Sequence, residues 1–443
     1  MNILGTNFNI KSLMKYVFPT ILMMIFMSTY TIVDGLFVAN LVGEDALAAV
    51  NMVWPTFNIV LAIGLMLATG STAVMGKLMG EGKSKEARSF LSILYIVAAI
   101  LGLVFTVAFL IFSDEIIRLL GVNDDLYQLA MDYLITLSFF NILFFLQVFV
   151  QSFFVLAGKP LLGFGICFLG GITNIILDFV FISPDMLDLG IAGAGLATGL
   201  GNTFPAIFGL LYFSFCRKGT LYFGKPILKI KVLFQSMFNG MSELVSQLAL
   251  GITTLLFNMI LLDLVGKSGV ASISVIMYIQ MLQTAIYFGY AMGVAPIISF
   301  KYGAKDIKGL KTVLNISFIF IAIVSALVIV FSLLLGELAV RIFIDRSSET
   351  FAMAVNGLKI FSIAYLFMGS NVFMSSLFTA LSNGRVSAIL SLSRTLVFLI
   401  GALLILPYFL HLNGVWLAVP LAELLAFILS IYYYKKGKLT YGF

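Results

Sequence analysis

Along nearly the whole chain, apolar residues run in long stretches, broken only by short clusters of charge, glycine and proline. A helix needs about 20 apolar residues to cross a bilayer core. That rule gives twelve predicted spans, at 14–41, 46–74, 90–112, 127–156, 161–182, 191–215, 232–261, 269–299, 312–335, 353–381, 386–409 and 412–434. The breaks alternate in charge. One set carries Lys77, Lys83, Lys85 and Arg88, then Lys159, then Arg217, Lys218, Lys225, Lys229 and Lys231, then Lys301, Lys305, Lys308 and Lys311, then Arg385. The other set is mainly acidic, with Asp114, Glu115, Asp124, Asp125, Asp185, Asp188 and Glu337 among its members. The excess of Lys and Arg marks the first set as cytosolic. Both termini then lie in the cytoplasm and the protein spans the plasma (inner) membrane many times.

Composition agrees with this pattern. Of 443 residues, 61% are hydrophobic and 10% are charged, against about a quarter charged in soluble domains. The length leaves room for the spans and no soluble domain. The net charge of +6 reflects topology and attraction to anionic lipid, so nucleic acid is not an expected partner. Two cysteines, Cys167 and Cys216, give no disulfide framework. The first apolar run is too long for a signal-peptide core and lacks a small-x-small cleavage site, so it reads as a retained helix.

An internal repeat sets the architecture. A shift of 223 residues aligns Leu41-Val42-Gly43 with Leu264-Val265-Gly266, Ala62-Ile63 with Ala285-Ile286, Gly70 with Gly293 and Gly80 with Gly303, without a gap. A shift of 226 pairs Gly158-Lys159 with Gly384-Arg385. Six spans per repeat start and finish on one side, so the two copies are related by an axis along the membrane normal. The predicted fold is therefore all-α integral membrane, with twelve transmembrane helices in two six-helix bundles: residues 1–215, a cytosolic linker at 216–231, and residues 232–443. A cavity between two such bundles is the default place for a transported substrate.

Ionisable residues inside the spans are the candidate chemistry, because each is costly there and normally faces a bundle interior or a water-filled path. Asp34 sits about 10 Å below the outer surface in span one. In span five Asn174 and Asp178 are four apart and share one helix face, at depths of roughly 12 and 6 Å. The three can meet in the outer half of the N-terminal bundle. Two acids together in a low dielectric do not both ionise comfortably, which suits a site that holds a proton or a Na⁺. Thr31, Asn141, Gln147 and Gln151 are candidate auxiliary ligands. The repeat positions of Asp34 and Asp178 are Phe257 and Leu404, so the acids belong to one bundle only. The C-terminal bundle holds Glu243, a candidate contact for cationic substrate, and Arg394 and Glu423, whose similar depth on consecutive spans suits an ion pair. Pro19, in the helix of Asp34, is a candidate hinge.

Soluble-enzyme signals fail. Gly82-Lys83-Ser84 lacks the upstream glycine of a P-loop, where Lys77 stands. His411 is the single histidine, which excludes a histidine-based metal site or triad. No enzyme activity and no cofactor are expected.

The segments VDGLFVANLVGEDALAAV, MGEGKSKEA, LAGKP at 156–160, NIILDFVFI at 174–182 and LGIAGAGLATGLG at 189–201 resemble those of the bacterial multidrug and toxic compound extrusion (MATE) family of secondary transporters. The resemblance covers roughly residues 12–435. It implies a V-shaped pair of bundles that exports organic, often cationic, amphipathic compounds against inward H⁺ or Na⁺. It also implies that Asp34, Asn174 and Asp178 match the ion-coupling positions of the N-terminal bundle and that Glu243 matches an acid of the C-terminal one. A monomer in the lipid bilayer is expected. The alternative is a lipid-linked precursor flippase of a related transporter superfamily, which needs a more cationic cavity than Lys359 and Arg394 provide.

Overall fold

The computed structural model describes residues 3–442, the side chain of Glu44 excepted, so the outermost residues of both predicted bundles, Met1, Asn2 and Phe443, fall outside it. All regular structure among the described residues is helical. The spans are α1 (Ile10–Val42), α2 (Asp45–Gly80), α3 (Ser84–Ile111), α4 (124–156), α5 (Pro160–Ile182), α6 (Gly190–Phe215), α7 (Met241–Val265), α8 (Lys267–Gly303), α9 (Ile307–Arg341) and α10 (Glu349–Ala380). The last apolar helix, Gly384–Tyr441, counts 58 residues. At 1.5 Å per residue that is roughly 87 Å, twice what a bilayer needs. It is two spans, α11 (384–410) and α12 (412–441), because His411 takes a non-helical conformation (φ 48°, ψ −131°) that turns the chain back.

Three details depart from the sequence pattern. α4 is two helices, Asp124–Ser138 and Asn141–Leu156, joined at a 61° bend. The run predicted as span seven from residue 232 is divided at Gly240: a short helix, Ile230–Asn239, precedes α7 and packs against α2 of the other bundle. Two π-helical segments interrupt otherwise regular spans, Val38–Val42 at the end of α1 and Ser393–Phe398 within α11. Such segments recur at functional sites.

The bundles α1–α6 and α7–α12 meet at one end. The largest hydrophobic core runs through the first bundle and continues into the second through Tyr290, Val294, Ile297, Leu314, Phe373 and Leu377. All of these lie in the half of the second bundle next to the Lys-rich loops. A separate core, containing Phe257, Ile276, Leu358, Trp416 and Val419, fills the opposite half of the second bundle alone. The acid-rich ends are thus not welded together, and the molecule opens toward them.

Glycines make the closed end possible. A β-carbon on Gly80 of α2 would overlap the Phe300 carbonyl of α8, and one on Gly303 of α8 would overlap the Lys77 carbonyl of α2. These contacts exchange under the repeat, since Gly80 aligns with Gly303 and Lys77 with Phe300. Gly70 likewise lies against Ser236 and Gly240, and its repeat partner Gly293 against Val17 and Thr20. Glycine is needed here because backbone meets backbone, with no side chain that could rotate away. The Thr20 hydroxyl donates to the Gly289 carbonyl (2.7 Å), tying α1 to α8 one residue beyond Pro19. α1 stays helical through that proline.

Next to the seam, Lys301 is 1% exposed and pairs with Asp306 at 2.8 Å. Asp306 also caps α9 by accepting from the Gly309 amide (2.9 Å). The Lys301 ammonium first, and the Gly309 amide second, hold the Asp306 carboxyl below the usual carboxylate range. A depressed carboxyl adds stability that is present above its unfolded value of about 3.9 and is lost as pH falls through the folded value. Asp306→Asn leaves Lys301 buried and unpaired and is expected to cost about 3 kcal/mol. In thermal unfolding from pH 7 to 3, the variant should start lower and lack the wild-type drop below pH 4. Equal curves would remove the pair from the account.

Candidate functional site

In the open half of the first bundle, α1 delivers Asp34 four residues before its π segment, whose first amide donates to the Asp34 carbonyl. α5 delivers Asn174 and Asp178 from one face, one turn apart, and both are buried (3% and 0% exposed). Asp34 lies against both. Asp34 shares side-chain hydrogen bonds with Asp178 and Asn174, but Asp34 Oδ1, both Asp178 oxygens and both amide atoms of Asn174 are buried with no partner outside the three. An unpaired buried polar atom costs about 1–3 kcal/mol. Five buried polar atoms that have only one another to face make a site suited to a proton or a small cation held among them. The donors are hard oxygens around two carboxylates, the chemistry that holds a proton or a Na⁺ rather than a transition metal.

Beside the cluster is a cavity of about 10 Å³, lined by Tyr30, Gln147, Asn174, Thr198 and Asn202. That is room for about one water or a dehydrated small ion. The Thr198 hydroxyl is another buried oxygen with no partner. The sequence reading did not single out Thr198 or Asn202. They stand four apart on α6, so the spacing that picked out Asn174 and Asp178 marks them too.

The auxiliary candidates separate. Gln147 reaches the cavity. Thr31 is exposed, and its hydroxyl donates to the Met27 carbonyl of its own helix (2.9 Å), so it does not join the cluster. Asn141 is buried at the start of the second half of α4 with its Nδ2 unpaired. Gln151 is buried one turn beyond Gln147 and does not line the cavity.

The second bundle has different chemistry. Arg394, inside the π segment of α11, meets Glu423 of α12 at 3.4 Å, with side chains 15% and 7% exposed. The Asn371 amide donates to Glu423 Oε2 (2.6 Å) and the Ser430 hydroxyl to Asn371 Oδ1 (3.2 Å). This charge is paired and hydrogen-bonded, as a buried charge must be. Glu243, in the first turn of α7, is half-buried on the Arg394 side of the bundle, away from Asp34. Phe257 packs in the core at 2% exposure, but Leu404 is 61% exposed and cannot be the positional counterpart of fully buried Asp178. Among the described residues no group of three or more His, Cys, Asp and Glu forms a metal cluster.

Comparison with known proteins gives this architecture its family. The MatE family model matches residues 19–180 and again 243–404, two segments of equal length, one in each bundle. The chain belongs to the MatE family, whose members are membrane transporters and not enzymes. Multidrug export protein MepA of Staphylococcus haemolyticus is 25% identical over 437 residues, covering 97% of this chain and 94% of its own. The MepA of Staphylococcus aureus is 25% identical over 445 residues, covering 97% and 95%. Among solved structures, a MATE protein in the straight conformation superposes with a TM-score of 0.92 at 22% identity, covering 98% of each chain. The bent conformation gives 0.87 at 22% identity, covering 99% and 98%.

Proposed function

We propose that this chain is a cation-coupled antiporter that exports organic, often cationic, amphipathic compounds by alternating access. The observation that carries the reading is the buried cluster of carboxylate and amide atoms at Asp34, Asn174 and Asp178, which meet only one another and occur in one bundle only. An ion arriving from the open side neutralises the cluster and favours substrate release; loss of the ion at the other side restores the charge and the affinity for a cation. Substrate class is supported by the relatives named multidrug export proteins, at about a quarter identity. The Lys-rich closed end is read as cytoplasmic by the charge rule, which makes the structure outward-open in a plasma membrane, with both termini inside. The transporter works as a monomer, with Glu243 facing substrate and Pro19 as the place where α1 yields. A flippase for a pyrophosphate lipid is disfavoured because Arg394, one of two cations placed away from the span ends, is already held by Glu423.

Reconstitution in proteoliposomes with separately imposed pH and Na⁺ gradients tests the reading. Uptake of a fluorescent cation should follow one gradient and stop when it is collapsed. Transport indifferent to both gradients would exclude antiport.

A further inference from the structure

At the Lys-rich end of the second bundle, the turn between α10 and α11 and the last turns of α12 enclose a groove of about 380 Å³. Arg385 and Lys436 face it, with Tyr433 and Thr440 beside them and Val386 and Ile389 as its apolar wall. No carboxylate lines it, and neither cation is ion-paired among the described residues. Asn383 fixes one edge by donating to the Tyr441 hydroxyl (2.8 Å).

Two comparisons within the molecule show that this groove is special. The other basic-end cavity, about 270 Å³ beside α2 and α3, has Lys77, Lys85 and Lys229 but also Glu81 and Glu86, and Lys229 is bound to Glu86 at 2.6 Å. Its charge is largely cancelled. The repeat counterpart of the groove lies at the Gly158-Lys159 turn. There Lys159 stands over the Tyr212 ring (5.4 Å), the Thr220 hydroxyl donates to the Ala157 carbonyl (3.1 Å), and Leu221 is fully buried. The interbundle linker thus covers the first copy. At the second copy the helix 230–239 packs on the Gly384 backbone but leaves Arg385 and Lys436 exposed.

We infer that the groove between Arg385 and Lys436 is a binding site for the phosphate group of an anionic phospholipid. Its two unpaired cations and the Tyr433 hydroxyl match a phosphodiester; the Thr440 hydroxyl donates to the Lys436 carbonyl (3.2 Å) and holds the last turn of α12 in place. Its apolar wall, Val386 and Ile389, offers contact for the start of an acyl chain. Basic pockets between helix ends at this leaflet take such headgroups, and tyrosines belong at this depth.

Native mass spectrometry of the full-length protein tests this, with phosphatidylglycerol, phosphatidylcholine of the same chains, and inorganic phosphate as probes. Wild type should retain phosphatidylglycerol over phosphatidylcholine by about tenfold, the order expected from two interfacial cations. Arg385→Ala/Lys436→Ala should abolish the preference, Arg385→Lys/Lys436→Arg should keep it, and removal of two exposed charges elsewhere, Lys308→Ala/Lys311→Ala, should leave it intact. Retention unchanged in the first double variant would overturn the site. Displacement of the lipid by low millimolar inorganic phosphate would overturn the lipid assignment.

Discussion

Asp34→Asn should lower efflux of a fluorescent cation from cells to a tenth or less of wild type, at equal amounts of protein in the membrane. The substitution keeps shape and volume but removes the group whose charge can change when an ion binds. Coupling free energies between two ligands are typically 1–3 kcal/mol, or about 5–150-fold in affinity, so losing the coupling carries an effect of that order. The variant should fold, because an amide of the same shape can still hydrogen-bond Asp178 and Asn174, the two side chains that Asp34 faces. Asp178→Asn should behave alike, since its two oxygens are buried and meet only Asp34 and Asn174. Efflux near wild type in both would remove the cluster from the mechanism.

Gly303→Val should be nearly as damaging by a different route. Its side chain would occupy the space of the Lys77 carbonyl, and neither backbone can retreat without parting α2 from α8. Overpacking of this kind costs about 1–3 kcal/mol or more. Here the cost falls on one conformation, the one closed at the Lys-rich end. Each bundle keeps its own packing, so the protein should fold but spend its time with that end apart. Spin labels at Lys83 and Lys308, in a background without Cys167 and Cys216, should report a longer distance than in the glycine protein, with transport down at least tenfold. An unchanged distance distribution would mean that the seam tolerates a side chain and is not the closing device. Gly80→Val, its repeat partner, should show the same phenotype.

Much of this was legible in the residues. Long apolar runs and alternating loop charge carry the twelve spans, because a bilayer imposes a fixed length and no backbone alternative. Asp34, Asn174 and Asp178 stood out because charge and amide in such runs are expensive, and a spacing of four puts two of them on one face. Arg394 and Glu423 were legible from depth alone. The failures are instructive. Thr31 resembled a ligand by composition, yet a hydroxyl in a helix can satisfy itself on a carbonyl one turn back, as it does on Met27. Leu404 was paired with Asp178 by counting, and counting cannot see which face of α11 is buried: Leu404 is exposed and Asp178 is not. The break at Gly240 was hidden because residues on both sides are apolar and helical. The glycines of the seam were visible as matches between the repeats, but their role depends on which helices cross, a tertiary fact.

The central claim is that ion binding at Asp34, Asn174 and Asp178 changes affinity for substrate. Equilibrium binding of tetraphenylphosphonium to the purified transporter, with Na⁺ and pH varied independently, tests it most directly. The account predicts that raising one of these ions weakens wild-type binding at least fivefold and leaves Asp34→Asn unmoved. The same ion dependence in both proteins would contradict it.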